Sequence, residues 1–170
     1  MTVTVTDMEQ LFTQTVNQHL SEIHRFCAFM LRDSAEAEDI TQKTFIKYYE
    51  NLKSVQDPKP WLYKVARNMC LDHLKIQKSL SFTETEDFVY NIPEHTLDME
   101  EKFDNKEFLE KARTIIADLP LAQKEVMLLK YFEDFTFEQI AAALGMPENT
   151  VKSHFYRGKQ KLYDQLPWTQ

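Results

Sequence analysis

The segment from residue 61 to residue 75 combines aromatic rings, cations and an amide, with Asp72 as its only acid. Aromatic rings stack on unpaired bases, cations follow phosphates, and an amide hydrogen-bonds the edge of an everted base. This composition indicates a surface for single-stranded nucleic acid, although an aromatic residue at helical spacing, such as Trp61, is also typical of a core. The candidate residues are Trp61, Tyr63, Lys64, Arg67, Asn68 and Lys75.

A second set of polar side chains lies near the end of the chain. Lys152 precedes Tyr156 by four residues and Ser153 precedes Arg157 by four, so each pair projects from one side of a helix. Such a helix side can reach base edges and phosphates in a major groove, and the alternative is an ordinary solvated face. The candidate residues are Asn149, Lys152, Ser153, Tyr156, Arg157 and Lys161.

The element that presents this second set is predicted to be the last helix of a helix-turn-helix. Thr136 and Gln139 have the spacing of a capping box, Gly145 suits the left-handed end of a short helix, and Pro147 suits the start of the next. An inward stripe follows at Val151, Phe155 and Leu162. A short helix, a tight turn and a longer helix favour DNA recognition over a merely solvated face.

The first set is predicted to lie on the third of three N-terminal helices. The first helix follows Asp7, the second follows a cap at Asp33 and ends near Lys53, and the third runs from Pro60 to about Gln77. Two more helices are expected before the helix-turn-helix, one capped by Asn105 and one starting at Pro120. The second helix has a buried stripe of Ala37, Ile40, Thr44, Phe45, Tyr48 and Leu52.

Composition and charge place these helices in two domains. The 170 residues include only two glycines, and 43% are hydrophobic, which favours an all-α fold with packed cores. Residues 78–105 carry eight acidic and two basic side chains, whereas 1–77 carry ten and nine, and 106–170 carry nine of each. We therefore expect two small helical domains, 1–77 and 106–170, joined by an acidic linker, 78–105.

The sequence also disfavours several classes of protein. The five histidines lack a ligand spacing, and no nucleophile accompanies a phosphate or oxyanion loop, so neither an enzyme, a metal site nor a cofactor is predicted. Cys27 and Cys70 have no Cys-x-x-Cys spacing and are expected to be buried thiols. No apolar run approaches a membrane span and the first residues lack a leader pattern, so a cytoplasmic protein without membrane insertion is expected.

Three segments together resemble the ECF (extracytoplasmic-function) sigma factors of bacterial RNA polymerase. Residues 37–45 are similar to the acidic polymerase-binding helix of that family, and residues 60–68 to its −10 recognition helix. Residues 137–145 and 150–153 resemble its −35 helix-turn-helix. The three segments occur in the family's order and together span most of the chain.

The resemblance implies partners and roles at the matching positions. Asp39, Gln42 and Phe45 would contact the clamp coiled coil of core RNA polymerase, and Asn68, beside Lys64 and Arg67, would hold the non-template strand of a −10 element. The last helix would read the −35 duplex of promoter DNA, and an anti-sigma factor is an expected partner. The acidic linker would mimic phosphate or act as a plain tether. Lys43 and Lys75 depart from the family's usual residues.

Two other classes share part of this pattern. A LuxR-type regulator also has a terminal helix-turn-helix, but it would leave residues 39–45 and 61–68 unexplained. A sigma mimic that sequesters an anti-sigma factor would be expected to lose DNA-facing residues, whereas Arg67, Asn68, Lys152 and Arg157 are present.

Overall fold

The structure is a computed structural model that describes residues 5–80 and 106–166. All seven regular elements in these two ranges are α-helices. The chain divides into two compact units, residues 1–85 and residues 86–170, and each is described by itself. The proposed limits of the domains and of the acidic linker stay a prediction, because residues 81–105 lie outside the described ranges.

Three helices form the N-terminal unit: α1 (Val5–Leu31), α2 (Ser34–Asn51) and α3 (Pro58–Leu80). Each packs against the other two with apolar side chains that recur every three or four residues. A hydrogen bond of 3.2 Å between Thr15 Oγ1 and Tyr48 Oη also links α1 to α2. The buried core includes Ile23, Phe26, Cys27, Met30, Ala37, Ile40, Phe45, Tyr48, Leu62, Tyr63, Ala66 and Cys70.

Local signals set the starts of α2 and α3. Asp33 caps α2, because its Oδ1 accepts hydrogen bonds from the backbone N–H groups of Ala35 (2.9 Å) and Glu36 (3.1 Å). Helix α3 begins at Pro58, two residues before the predicted Pro60, because prolines fit a first turn whose N–H groups need no partner within the helix. It also extends to Leu80, three residues beyond the predicted helix end near Gln77.

Cys27 on α1 and Cys70 on α3 are fully buried free thiols, as predicted. A hydrogen bond with the Cys70 side chain lowers the pKa of Cys27, and this effect exceeds the opposing effect of burial. The two cysteines therefore meet where α1 packs against α3.

Four helices form the C-terminal unit: α4 (Lys106–Ala117), α5 (Leu121–Tyr131), α6 (Phe137–Leu144) and α7 (Glu148–Gln165). Pro120 precedes α5 as predicted, whereas the predicted cap Asn105 lies outside the described residues. Helix α7 packs against α4, α5 and α6, so it lies at the centre of this unit. The core includes Ala112, Ile116, Leu119, Val126, Met127, Leu129, Phe135, Ile140, Ala143, Leu144, Val151, Phe155 and Leu162.

The predicted helix-turn-helix is confirmed in α6 and α7. The hydroxyl of Thr136 accepts from the N–H of Gln139 (3.1 Å), and the Gln139 side-chain oxygen accepts from the N–H of Thr136 (2.9 Å). Gly145 ends α6 with a φ of 65°, which a glycine adopts without a steric cost. Pro147 then precedes α7. These local features fix how α7 leaves the turn.

Gly158 lies in the middle of α7, where glycine costs about 1 kcal/mol relative to alanine. It is buried, and a Cβ atom placed on it would lie 2.9 Å from Met127 Cγ and 3.0 Å from Met127 Sδ. The absence of a side chain at residue 158 therefore lets α7 approach α5 closely.

We expect Gly158→Ala to destabilise the C-terminal unit by about 1 kcal/mol, because overpacking outweighs the gain in helix propensity. In a Met127→Ala background the obstruction is gone, and the same substitution should stabilise the unit by about 1 kcal/mol. Urea unfolding of the four variants measures both steps. An equal effect of Gly158→Ala in the two backgrounds would contradict the close-approach explanation.

Candidate functional site

Helix α2 presents part of the predicted polymerase-contacting set to solvent. Asp39 and Gln42 are exposed, and the Gln42 amide donates to Glu38 Oε1 at 3.3 Å. Phe45, however, is only 5% exposed and lies in the core, so its direct contact with a partner stays a prediction that this burial does not favour. Its ring belongs to the buried stripe of α2, one helical step of about 100° away from the exposed side.

Two exposed apolar residues of α2 were missed by the sequence reasoning. Ile46 is 58% exposed and Tyr49 is 49% exposed, and with Asp39 and Gln42 they recur at intervals of three, four and three residues. That spacing places the four side chains along one side of the helix, which we call the α2 face. The edge of the Tyr49 ring contacts Phe12 of α1, with 5.1 Å between ring centroids. Counting in helical steps from Asp39 would have found both residues.

Helix α3 exposes Lys64, Asn68 and Lys75, whose spacing of four and seven residues defines the α3 face. Arg67 is half-buried beside it. Lys75 Nζ lies 3.6 Å from Asp72 Oδ1, so the only acid of this stretch is close to one of its cations. The α3 face therefore offers an amide flanked by positive charge.

The two aromatic rings predicted to stack on bases contribute instead to packing in this unit. Tyr63 is 1% exposed and meets Phe26 edge-on at 5.1 Å between ring centroids, so its direct contact with DNA stays a prediction that this burial does not favour. Trp61 is half-buried, and its ring lies 5.9 Å from that of Tyr48. A base could reach only the exposed part of Trp61.

Helix α7 turns most of the second predicted set outward. Its inward stripe of Val151, Phe155 and Leu162 is buried, as predicted. The α7 face consists of the outward residues Asn149, Lys152, Ser153, Tyr156, Arg157 and Lys161, of which Lys152 is partly covered and the other five are exposed.

Lys152 already has partners within its own unit. Its Nζ lies 2.5 Å from Glu148 Oε1, one turn earlier on α7, and 5.8 Å from the centre of the Phe137 ring. Glu148 is an exposed acid in the first turn of α7, and the sequence reasoning did not single it out. An acid four residues before a lysine is the signal that would have found it.

Two kinds of feature are absent from the described part of the chain. Within ranges 5–80 and 106–166, no three His, Cys, Asp or Glu side chains form a group that could hold a metal ion. In the same ranges, no helix is long and apolar enough to cross a bilayer.

Comparison with known proteins identifies the family. The sequence model of Sigma-70 region 2 matches residues 15–79, and that of Sigma-70 region 4 matches residues 109–162. The ECF RNA polymerase sigma factor SigW of Bacillus subtilis is 29% identical over 168 residues, which cover 93% of this chain and 90% of SigW. SigM of the same species is 25% identical over 85% of this chain and 88% of SigM. This chain belongs to the ECF sigma factors.

Solved structures show the fold of this ECF sigma factor in other proteins. It is similar to the sigma factor RpoE in a complex with the anti-sigma factor NepR from Bartonella quintana, with a TM-score of 0.66 and 22% identity over 91% of this chain and 95% of RpoE. It is also similar to CnrH in a complex with the cytosolic domain of CnrY, with a TM-score of 0.61 and 20% identity over 92% of this chain and 87% of CnrH. The predicted all-α fold is confirmed.

The family match also locates the three faces of this ECF sigma factor. The α2 face and the α3 face lie within the region 2 match, and the α7 face lies within the region 4 match.

Proposed function

We propose that this ECF sigma factor binds core RNA polymerase through the α2 face and directs it to promoters through the α3 and α7 faces. One observation carries this proposal: the matched regions expose Asp39, Asn68 and Arg157, while the apolar stripes of the same helices are buried. The factor supplies no bond chemistry of its own. It acts in the cytoplasm, where bacterial RNA polymerase works.

The α3 face is proposed to capture the opened −10 strand. Asn68 offers both donors and an acceptor to the edge of an everted base, and the exposed Lys64, one turn away, is proposed to contact a phosphate. Trp61 adds the exposed part of its ring to this surface. Capture of unpaired bases stabilises the melted start region, because those bases regain contacts that they lost on leaving the duplex.

The α7 face is proposed to read the −35 duplex. It follows the turn of a helix-turn-helix, the arrangement that places a helix in the major groove. Arg157 and Lys161 are suited to guanine or phosphate, and Asn149 and Ser153 to base edges near the start of the helix. Because Lys152 is paired with Glu148, contact with DNA requires either that this ion pair breaks or that the Lys152 ammonium bridges Glu148 and a DNA phosphate.

The charge of the chain fits a factor that works only together with the polymerase. A net charge of −7 disfavours tight binding of phosphates by the isolated protein. If the polymerase supplies most phosphate contacts, the sigma factor needs only base-reading faces. The free protein is therefore proposed to bind promoters weakly.

An anti-sigma factor is proposed as a further partner. The sigma factor RpoE, which shares this fold, forms a complex with the anti-sigma factor NepR, and CnrH, which also shares it, forms a complex with the cytosolic domain of CnrY. An anti-sigma factor that covers the α2 face would block the polymerase directly.

In vitro transcription with core polymerase on a library of promoter templates tests the proposed function. We expect transcripts from a subset of templates only when both the chain and core polymerase are present. Strong promoter binding by the isolated chain, unchanged by polymerase, would favour a stand-alone regulator instead. A chain that captures an anti-sigma factor but yields no transcript would favour a sigma mimic.

Replacing Asp39 with Asn should weaken binding to core polymerase about fivefold at low salt, because an exposed charge-assisted contact is lost. Asp57→Asn is the matched control, since Asp57 is an exposed acid in the connection between α2 and α3 and the change in net charge is the same. Fluorescence anisotropy of labelled protein measures the affinity. Equal affinities for both variants and the unmodified protein would exclude Asp39 from the interface.

A further inference from the structure

The carboxylate of Asp39, the only acid of the α2 face, is paired within its own helix. Lys43 follows one turn later, and its Nζ lies 2.5 Å from Asp39 Oδ2. This hydrogen bond, together with the charge of Asp39, raises the pKa of Lys43, so the ammonium is charged at neutral pH. Both side chains remain open to a partner, with 50% exposure for Asp39 and 58% for Lys43.

The neighbouring charges of α2 have other contacts or lie further away. Glu36 Oε2 lies 3.5 Å from His73 Nδ1 on α3, and Glu38 accepts from the Gln42 amide. Lys47 is exposed and lies eight residues from Asp39, about 12 Å along the helix axis. Lys43 is therefore the cation that acts on Asp39.

We propose that Lys43 limits the affinity of the α2 face for the polymerase, and this inference rests on the function proposed for that face. A partner cation that approaches Asp39 must displace the Lys43 ammonium or remain beside it. Displacement loses the existing pair, and proximity adds repulsion between like charges. Lys43 thereby lowers the affinity of the α2 face for a partner cation, so the complex dissociates more readily.

The order of the two residues favours the pair. An acid four residues before a lysine is the more stabilising arrangement on an isolated helix, where such a pair has a modest but measurable strength. Exposure and salt limit that strength further. Removing the Lys43 charge should therefore tighten binding by about two- to fivefold at low salt, and the gain should shrink as salt is added.

The sign of the effect separates this proposal from the alternative. If Lys43 instead contacts an acidic group of the partner, removing its charge weakens binding. If Lys43 acts only through the net charge of the protein, any exposed lysine of α2 gives the same effect.

Binding of the full chain to core polymerase is measured for Lys43→Gln and for Lys47→Gln, the matched control, each with either Asp or Asn at position 39. We expect Lys43→Gln to tighten binding only when Asp39 is present, and Lys47→Gln to leave it unchanged. Thermal unfolding of each variant checks that the N-terminal unit is intact.

Unchanged or weaker binding by Lys43→Gln would overturn the inference, and so would an equal gain from Lys47→Gln or a gain that persists with Asn at position 39. In these cases the proposed polymerase contact still stands if Asp39→Asn weakens binding. If the unmodified chain does not bind core polymerase, or if Asp39→Asn leaves the affinity unchanged, both the proposed contact and the inference are overturned.

Discussion

Tyr63→Ala is expected to destabilise the N-terminal unit by about 3–5 kcal/mol, whereas Tyr63→Phe should retain most of the stability and the transcription activity. The Tyr63 ring is 1% exposed and packs against Phe26, so its removal leaves a large cavity between α3 and α1. Urea unfolding followed by circular dichroism measures the stability, and run-off transcription measures the activity.

Tyr156→Ala serves as the matched control for the unfolding measurement, because Tyr156 is 60% exposed and its removal should cost little stability. A stable Tyr63→Ala protein would contradict the packing role. A Tyr63→Phe protein that keeps its stability but loses transcription would instead show that the hydroxyl takes part in recognition.

Asn68→Ala is expected to reduce transcription by about fivefold to over a hundredfold without changing affinity for core polymerase. The exposed amide would provide a paired set of hydrogen bonds to one unstacked base, and such contacts contribute about 1–3 kcal/mol. Permanganate reactivity of unpaired thymines measures the fraction of promoters that are open, and anisotropy measures binding to the polymerase.

Asn17→Ala is the control for Asn68→Ala, since Asn17 is an exposed amide on α1 outside the three faces. A parallel loss of polymerase affinity in Asn68→Ala would assign the residue to a different interface. Full promoter opening by this variant would remove Asn68 from the recognition surface.

The limits of the helix-turn-helix were the most predictable part of this fold. Thr136, Gly145 and Pro147 act through the backbone of their immediate neighbours, so their types fix where α6 begins and ends and where α7 begins. Composition is a weaker guide, because α3 continues to Leu80 through residues whose polarity favoured a linker. A helix can continue without an apolar stripe, so the loss of apolar periodicity after Gln77 placed the predicted end of α3 too early.

The candidate site shows where two kinds of sequence argument conflict. The buried stripe predicted for α2 already contained Phe45, whereas the family resemblance assigned the same residue to the polymerase. The structure agrees with the periodicity, since Phe45 is buried and Ile46 is exposed. A one-residue shift along a helix rotates a side chain by about 100°, which is enough to exchange core and surface.

Other features depend on tertiary contacts that no local pattern contains. Met127, thirty-one residues earlier in the chain, occupies the space that a side chain at position 158 would need, and only the packing of α5 against α7 brings the two residues together. The pairing of Lys43 with Asp39, by contrast, is local, and the spacing of an acid four residues before a lysine could have predicted it.

The buried pair of Cys27 and Cys70 gives this molecule a built-in reporter. These are the only cysteines among the 170 residues, and both lie in the N-terminal unit. A thiol-specific alkylating reagent can reach them only when α1 and α3 separate, since both side chains are 0% exposed. Alkylation kinetics therefore report the transient opening of the first unit alone, because the second unit contains no cysteine to alkylate.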